Sequence, residues 1–293
     1  MKIRLVCCIA VAVLTAILVP AQEKKAEVKV ERDIVYGKGG ATELKLDLAM
    51  PKDGDGPFPV IVCIHGGGWR GGSRTNLGKT TEVLAGRGYV AVTLSYRLVP
   101  AGTFPAQIED CKAAIRWLRA NAKKYKIDPD HIGAVGYSAG GHLVCLLGTA
   151  GKEDGLEGSG GNPEQSSKVQ AVVSFFGPTD FTVRTWDEKI EKTILVPFLG
   201  GSFEEKGEVY KKASPITYVR KGAPPFLFFH GTEDKLVAVG QSRIMAEKLK
   251  AAGGTVKLVE IEGAGHGWGG EKLNETLQQM MTFFDEHLKK AAK

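Results

Sequence analysis

One serine in this chain stands in a setting that turns a weak nucleophile into a working one. Gly136-Tyr137-Ser138-Ala139-Gly140 follows a short apolar run, residues 132–135, and opens a segment of helical pattern, residues 138–149. A sharp turn from strand to helix lifts a serine hydroxyl above the edge of a sheet. Flanking glycines leave room for the helix to cross close to its neighbours. A hydroxyl at neutral pH needs a base to take its proton during attack. His266, in Gly263-Ala264-Gly265-His266-Gly267-Trp268, follows the last strand pattern and can be that base. The base in turn needs a carboxylate to hold one tautomer and stabilise its cation. Asp234, in His230-Gly231-Thr232-Glu233-Asp234, follows the penultimate strand pattern, and Glu233 and Asp180 are its rivals.

Attack on a carbonyl places negative charge on oxygen, so fixed donors must face it. His65-Gly66-Gly67-Gly68-Trp69 follows another apolar run, residues 59–64. The N–H groups of Gly67 and Gly68, with that of Ala139, are the expected donors, and His65 is expected to pin the loop. A phosphate-binding loop would need a following G-K-[ST] or a G-x-G-x-x-G that opens a helix, and neither is present. The remaining histidines fit a base poorly. His287 is in the terminal helix, His131 is at the wrong end of a strand, and His142 is one helical turn past Ser138. His230 stands directly before the acid's loop. Trp69 and Trp268 flank the site in sequence and are candidates for shaping a substrate pocket or for plain packing.

The elements that must position these groups alternate. Strand patterns at 28–36, 44–50, 59–64, 89–95, 132–135, 169–176, 226–229 and 256–261 are separated, from the third on, by helical patterns or long segments. The helical patterns cover 77–87, 105–125, 138–149, 239–252 and 271–291. Strands joined by helical crossovers pair in parallel. The expectation is an α/β fold: a mostly parallel twisted sheet with helices on both faces and an antiparallel hairpin, turning at 37–40, at its N-terminal edge. Residues 152–167 are rich in Gly, Glu and Ser and read as an exposed loop. Residues 179–218 are long and irregular, with Phe181, Trp186, Phe198 and Phe203, and read as a cap or binding insertion or as a packed surface excursion.

The first 21 residues read as an export signal: Lys2 and Arg4, then an almost wholly apolar run over 5–19, then Val19-Pro20-Ala21 as a small-residue cleavage site. The run is shorter than the roughly 20 residues that span a bilayer, although an uncleaved anchor is the alternative. A secreted or periplasmic protein follows, with residues 22–293 as one catalytic domain and no membrane association after cleavage. Charge is mild, with 39 Lys and Arg against 33 Asp and Glu. No basic run interleaved with aromatics suggests nucleic acid as a partner. Cys7 and Cys8 leave with the leader. Cys63, Cys111 and Cys145 remain, an odd number that favours buried free thiols over a disulfide framework. No C-x-x-C or zinc-ligand spacing appears. Oligomeric state has no signature in the sequence.

The four motifs HGGGW, GYSAGGH, HGTED and GAGHGW, in this order, resemble the α/β-hydrolase superfamily across nearly all of the chain after the leader. Ser95-Tyr96-Arg97-Leu98, Phe104-Pro105-Ala106-Gln107 with Asp110, and Ala213-Ser214-Pro215 resemble its esterase branch near hormone-sensitive lipase and the acetyl-xylan and feruloyl esterases. The resemblance implies a serine carboxylester hydrolase acting on a small-molecule or polysaccharide ester, with Ser138, Asp234 and His266 as triad, Gly67, Gly68 and Ala139 as oxyanion hole, no metal and no organic cofactor. Kynurenine formamidases carry similar motifs, so formamide cleavage stays open, as does a peptidase of the same fold. A non-catalytic binding module on this scaffold would be expected to have lost part of the triad. A triglyceride lipase would be expected to carry a clear amphipathic lid, and only the insertion after Thr179 leaves room for one.

Overall fold

The computed structural model describes residues 27–183 and 186–289; the expected leader, with Cys7 and Cys8, lies outside the described residues. The strands are β1 (Val28–Gly39), β2 (Thr42–Pro51), β3 (Phe58–Ile64), β4 (Val90–Leu94), β5 (Ile127–Tyr137), β6 (Ala171–Phe175), β7 (Phe226–Gly231) and β8 (Val256–Ile261). The α-helices are α1 (Gly78–Ala85), α2 (Ala106–Ala120), α3 (Ala139–Thr149), α4 (Glu188–Ile190), α5 (Val196–Leu199), α6 (Phe203–Ala213), α7 (Gly240–Ala251) and α8 (Gly270–Leu288). The strands form one sheet in the order β1-β2-β4-β3-β5-β6-β7-β8. The pairs β1/β2 and β2/β4 are antiparallel and all the others parallel. This is the α/β-hydrolase fold.

The run PVIVCI is apolar throughout because its strand is buried on both faces. Side chains alternate across a strand, so Val60, Val62 and Ile64 join the core under α2, α3 and α7. Ile61 and Cys63 join the opposite core, with Leu84 of α1 and Met280 and Phe284 of α8. Cys63, Cys111 and Cys145 are buried free thiols, and burial alone pushes the Cys63 thiol up to about 12.

The structure corrects several local expectations. The glycines at 37–39 belong to β1, which pairs Gly39 with Thr42, so the hairpin turns at Gly40-Ala41. Strand β5 starts at Ile127, paired with Phe58, and not at residue 132. His131 lies within it, 3.0 Å from Asp128. The segment 152–167 is only partly exposed. Leu156 is buried, and Glu157 binds the buried Lys112 ammonium at 2.7 Å and Arg116 at 2.8 Å. Two cations on the inner face of α2 require an anion there, and the loop supplies it.

The insertion is mostly helical: α4, a π-helical turn (Glu191–Leu195), α5 and α6 follow one another. Ser202 accepts from the Glu205 N–H and Glu205 from the Ser202 N–H at the start of α6. That S-x-x-E capping box was present in the sequence as a helix signal. Phe181, Phe198 and Tyr210 are fully buried, so the segment packs down on the domain and also, as shown below, walls the site.

Candidate active site

The loops after β3, β5, β7 and β8 leave the sheet at the same edge, because these strands run parallel. The geometry of the sheet sets the problem the chain must solve. Strands lie about 4.8 Å apart, so β8, three strands from β5, ends roughly 14 Å from the nucleophile's strand. The loop after β8 closes that gap by folding back over the end of β7. Glu233 N–H donates to the Ala264 carbonyl at 2.9 Å. Gly231 permits the approach: a Cβ there would strike the carbonyls of Ala264 and Gly265.

Ser138 caps β5 with φ 55° and ψ −118°. A non-glycine residue in that region costs about 1–3 kcal/mol and persists only when its surroundings over-determine it. They do so here. Ser138 N–H donates to the Phe175 carbonyl at 2.9 Å, and His142 N–H to the Ser138 carbonyl at 3.0 Å. Helix α3 presses so close to β3 that a Cβ on Gly140 would strike the Ile64 carbonyl.

Three distant segments meet in one hydrogen-bonded line. The Ser138 hydroxyl donates to His266 Nε2 at 2.8 Å. His266 Nδ1–H donates to Asp234 Oδ2 at 2.7 Å. The tautomer follows from the partners: a carboxylate only accepts, so Nδ1 carries the proton and Nε2 is left to take one. The Asp234 side chain has no exposed surface. Its Oδ1 accepts from the N–H groups of Leu236 and Val237, each at 2.9 Å. Burial works to raise its pKa, but the bonds from His230, His266 and the Val237 N–H prevail and hold the carboxyl well below the ordinary range.

His230 is the residue that sequence reasoning passed over. Its Nε2–H faces the Val237 carbonyl at 2.8 Å and Asp234 Oδ2 at 3.3 Å, while Nδ1 accepts from the Ser242 hydroxyl at 2.8 Å. It is fully buried. The four-residue spacing between His230 and Asp234 was visible in the sequence; that the loop curls the carboxylate back onto the strand's last residues was not. The rivals for the acid are elsewhere engaged. Asp180 accepts from the Thr182 N–H at 2.8 Å and hydroxyl at 2.6 Å, holding a turn, and Glu233 is exposed.

Gly67 (φ 110°) and Gly68 (φ 59°) border the cavity that opens over Ser138. Among the described residues neither N–H donates to another protein group. Ala139 is the first residue of α3, so its N–H has no partner within the helix. The loop is held from beneath. His65 Nδ1 bonds to the Gly66 carbonyl at 2.7 Å, and its ring stacks on Tyr96 at 4.4 Å. Burial lowers the His65 pKa and so favours the neutral ring. The Tyr96 hydroxyl donates to the His65 carbonyl at 3.0 Å, and the neighbouring Arg97 grips the buried Asp110 with Nε and Nη2, at distances down to 2.7 Å.

The two tryptophans separate. Trp69 borders the cavity but is only 3 % exposed. It stacks on Phe198 at 4.0 Å and donates from Nε1 to His142 Nδ1 at 3.2 Å. His142 Nε2–H donates to the Ala213 carbonyl at 2.8 Å, and burial brings its pKa down to about 4, so it stays neutral. Trp268 does not border the cavity, which corrects the expectation of a pocket role. Its Nε1–H is bound to Thr276 Oγ1 at 3.0 Å, and its ring packs on Phe175 and Phe176. The sequence placed it near His266 along the chain, but the turn at Gly267 (φ 118°) sends the next side chain toward α8.

The cavity has a volume of about 520 Å³, within the range of small-molecule sites. Its far wall comes from the insertion: Trp186, Ile190, Ile194 and Leu195. An activated hydroxyl, free amide donors and an apolar chamber together suit attack on an acyl carbon and stabilisation of the resulting oxyanion.

Fold and site define an α/β-hydrolase of the serine-nucleophile type. More particularly, the chain belongs to the BD-FAE family, whose model matches residues 46–249. It is 36% identical over 246 residues to Esterase LipC of Mycobacterium tuberculosis, which covers 81% of this chain and 59% of LipC; the chain thus spans a little over half the length of that curated relative. Among solved structures it resembles the bifunctional GH43-CE protein of Bacteroides eggerthii (TM-score 0.78, 32% identity, 88% of this chain and 38% of that one). It also resembles the propionate-bound thermophilic esterase Est2 of Thermogutta terrifontis (TM-score 0.74, 32% identity, 93% of this chain and 99% of that one).

Proposed function

We propose that this chain is an exported carboxylic ester hydrolase that works through an acyl-enzyme on esters of short acids, including those carried on carbohydrate. The observation that carries the reading is the unbroken line from the Ser138 hydroxyl through His266 to the buried Asp234 carboxylate, opening on an apolar cavity. The relatives agree with it in kind: LipC is named an esterase, and Est2 has been solved with propionate and with butyrate bound. A carbohydrate esterase from gut microbiota has a similar structure, with a TM-score of 0.76. Export rests on the signal pattern of residues 1–21.

The reaction proceeds in two balanced steps. Ser138 Oγ bonds to the acyl carbon as its proton passes to His266 Nε2, and the oxyanion faces Gly67, Gly68 and Ala139. The C–O bond to the alcohol breaks and His266 returns the proton to the leaving oxygen. Water then gives its proton to His266 and its oxygen to the acyl carbon. The bond to Ser138 breaks, the proton returns to Oγ, and the free acid departs.

The test is a substrate panel on the protein lacking residues 1–21: p-nitrophenyl acetate to decanoate, methyl ferulate, acetylated xylan and N-formyl-kynurenine. Short acyl esters, with release of acetate from xylan, are the expected substrates. Cleavage of the formamide alone would overturn the ester assignment. Export is checked by the intact mass of the protein recovered outside the cytoplasm of an expressing bacterium, where the leader should be absent.

His230→Gln should lower kcat about 10- to 100-fold with little change in KM. A hydrogen bond to a charged group contributes about 1.5–3 kcal/mol, and this one orients Asp234 and touches no substrate. Steady-state kinetics on p-nitrophenyl acetate read the split; a change confined to KM would contradict it.

A further inference from the structure

A second cavity, of about 450 Å³ and open to solvent along Arg70, Pro100 and Thr193, adjoins the first. Both are bordered by Gly68, Arg70, Thr193 and Ile194, and the second extends to Val99, Pro100 and Pro197. Gly68 has no side chain, so the division between the cavities is made by Arg70, Thr193 and Ile194. Ile194 reaches over the oxyanion loop: its Cγ2 is 3.4 Å from the point where a Cβ on Gly68 would stand, with Arg70 Cγ 3.8 Å from the same point. Arg70 is fastened in place, its Nη1 donating to the Thr193 carbonyl at 2.8 Å. Thr193 and Ile194 lie in the π-helical turn Glu191–Leu195, a wider helical form that recurs at functional sites. The oxyanion loop and the insertion are thus tied together at the point where one chamber ends and the next begins.

We infer that Ile194, braced by the Arg70–Thr193 bond, is the stop that limits acyl-chain length, and that the cavity behind it is a latent extension of the acyl site. This rests on the acyl-transfer reading above. The leaving alcohol must sit within reach of His266 Nε2, which protonates it. His266 borders the first cavity but not the second. The substituent that meets the partition across Gly68 is therefore the acyl group. The space beyond is bordered by Val99, Pro100 and Pro197, hydrocarbon side chains that suit methylene groups, with Arg70 and Thr193 at the partition. Shortening Ile194 joins the two chambers.

Two series of esters test this, one varying the acid with p-nitrophenol fixed and one varying the alcohol with acetate fixed. In Ile194→Ala the ratio of kcat/KM for hexanoate to that for acetate should rise about tenfold or more, on the scale a hydrophobic pocket assigns to single methylene groups. In Ile194→Phe the same ratio should fall. Arg70 is exposed, so Arg70→Ala keeps the test open if the Ile194 variants fold poorly, and it should shift the ratio in the direction of Ile194→Ala. Ratios unmoved in these variants, or a shift confined to the alcohol series, would overturn the assignment.

A parallel readout separates this inference from the reading it rests on. p-Nitrophenyl methylphosphonate and hexylphosphonate esters label an activated serine when Oγ bonds to phosphorus and p-nitrophenolate leaves, and intact mass records the adduct. No label on wild-type Ser138 with either reagent would sink the reading of the site and the stop with it. A labelled wild type whose hexyl-to-methyl rate ratio stays the same in Ile194→Ala would sink the stop alone.

Discussion

Ser138→Ala is expected to remove about 10⁶-fold of kcat, by analogy with another serine hydrolase in which loss of the nucleophile costs that much. In the proposed reaction Oγ is the atom that bonds to the acyl carbon, and neither His266 nor Asp234 can take its place as nucleophile there. What survives is the background from binding and from the amide donors. The fold should be retained, since the φ of 55° at this position is imposed by the Phe175 and His142 backbone bonds and not by the hydroxyl. Removing the hydroxyl leaves His266 Nε2 open to the cavity, where water can reach it. Burst-phase and steady-state release of p-nitrophenol measure the outcome, with circular dichroism as the check on folding. More than a few per cent of wild-type turnover in a folded variant would end the triad assignment.

Asp234→Asn should lower kcat about 10⁴-fold, again by analogy with a serine hydrolase in which that exchange leaves geometry intact and selects the wrong tautomer. An amide presents N–H groups where His266 Nδ1–H and His230 Nε2–H now find an acceptor. His266 then keeps its proton on Nε2 and has no lone pair for the Ser138 hydroxyl. The same variant carries a pH signature in stability. The Asp234 carboxyl is held below its ordinary range in the folded protein, so the unfolded chain takes up its proton first as pH falls. Its contribution is fully present above the unfolded carboxylate value, near 3.9, and is lost as pH drops from there toward the folded value. Wild type should therefore melt higher than Asp234→Asn at pH 7, and the two melting temperatures should converge below about pH 4. A gap that widens in acid would show that the carboxylate is not the stabilised form.

The division between what local sequence and what tertiary packing determines is clear at particular residues. The turn that presents Ser138 was legible because a strand, a G-x-S-x-G turn and a helix stand consecutively, and each glycine answers a local steric need such as the contact of Gly140 with Ile64. The meeting of Asp234 and His266 with Ser138 was legible because parallel strands deliver their C-terminal loops to one edge, so chain order restricted the choice to the residues after β7 and β8. The apolar strands were legible from composition, because burial on both faces leaves a run of β-branched residues with no polar alternation.

Other features depend on partners far along the chain. The capping box at Ser202 was present, but the aromatic residues around it carried no period from which to read which would be core and which would face the cavity. Phe198 went under Trp69, while Ile194, four residues earlier, went over Gly68. His230 looked idle beside the acid's loop because nothing local shows that loop curling back. Trp268 stands two residues from His266, yet Gly267 turns it toward Thr276. The sequence by itself singled out Ser138, Asp234 and His266, their order and the sheet that presents them, since those follow from short-range sterics and from the one-way running of parallel strands. Tertiary structure alone decided the walls: which side chains bound the cavity, where it stops and what braces the acid. Those depend on the approach of segments more than a hundred residues apart, such as Arg70 and Thr193, and no local pattern encodes that meeting.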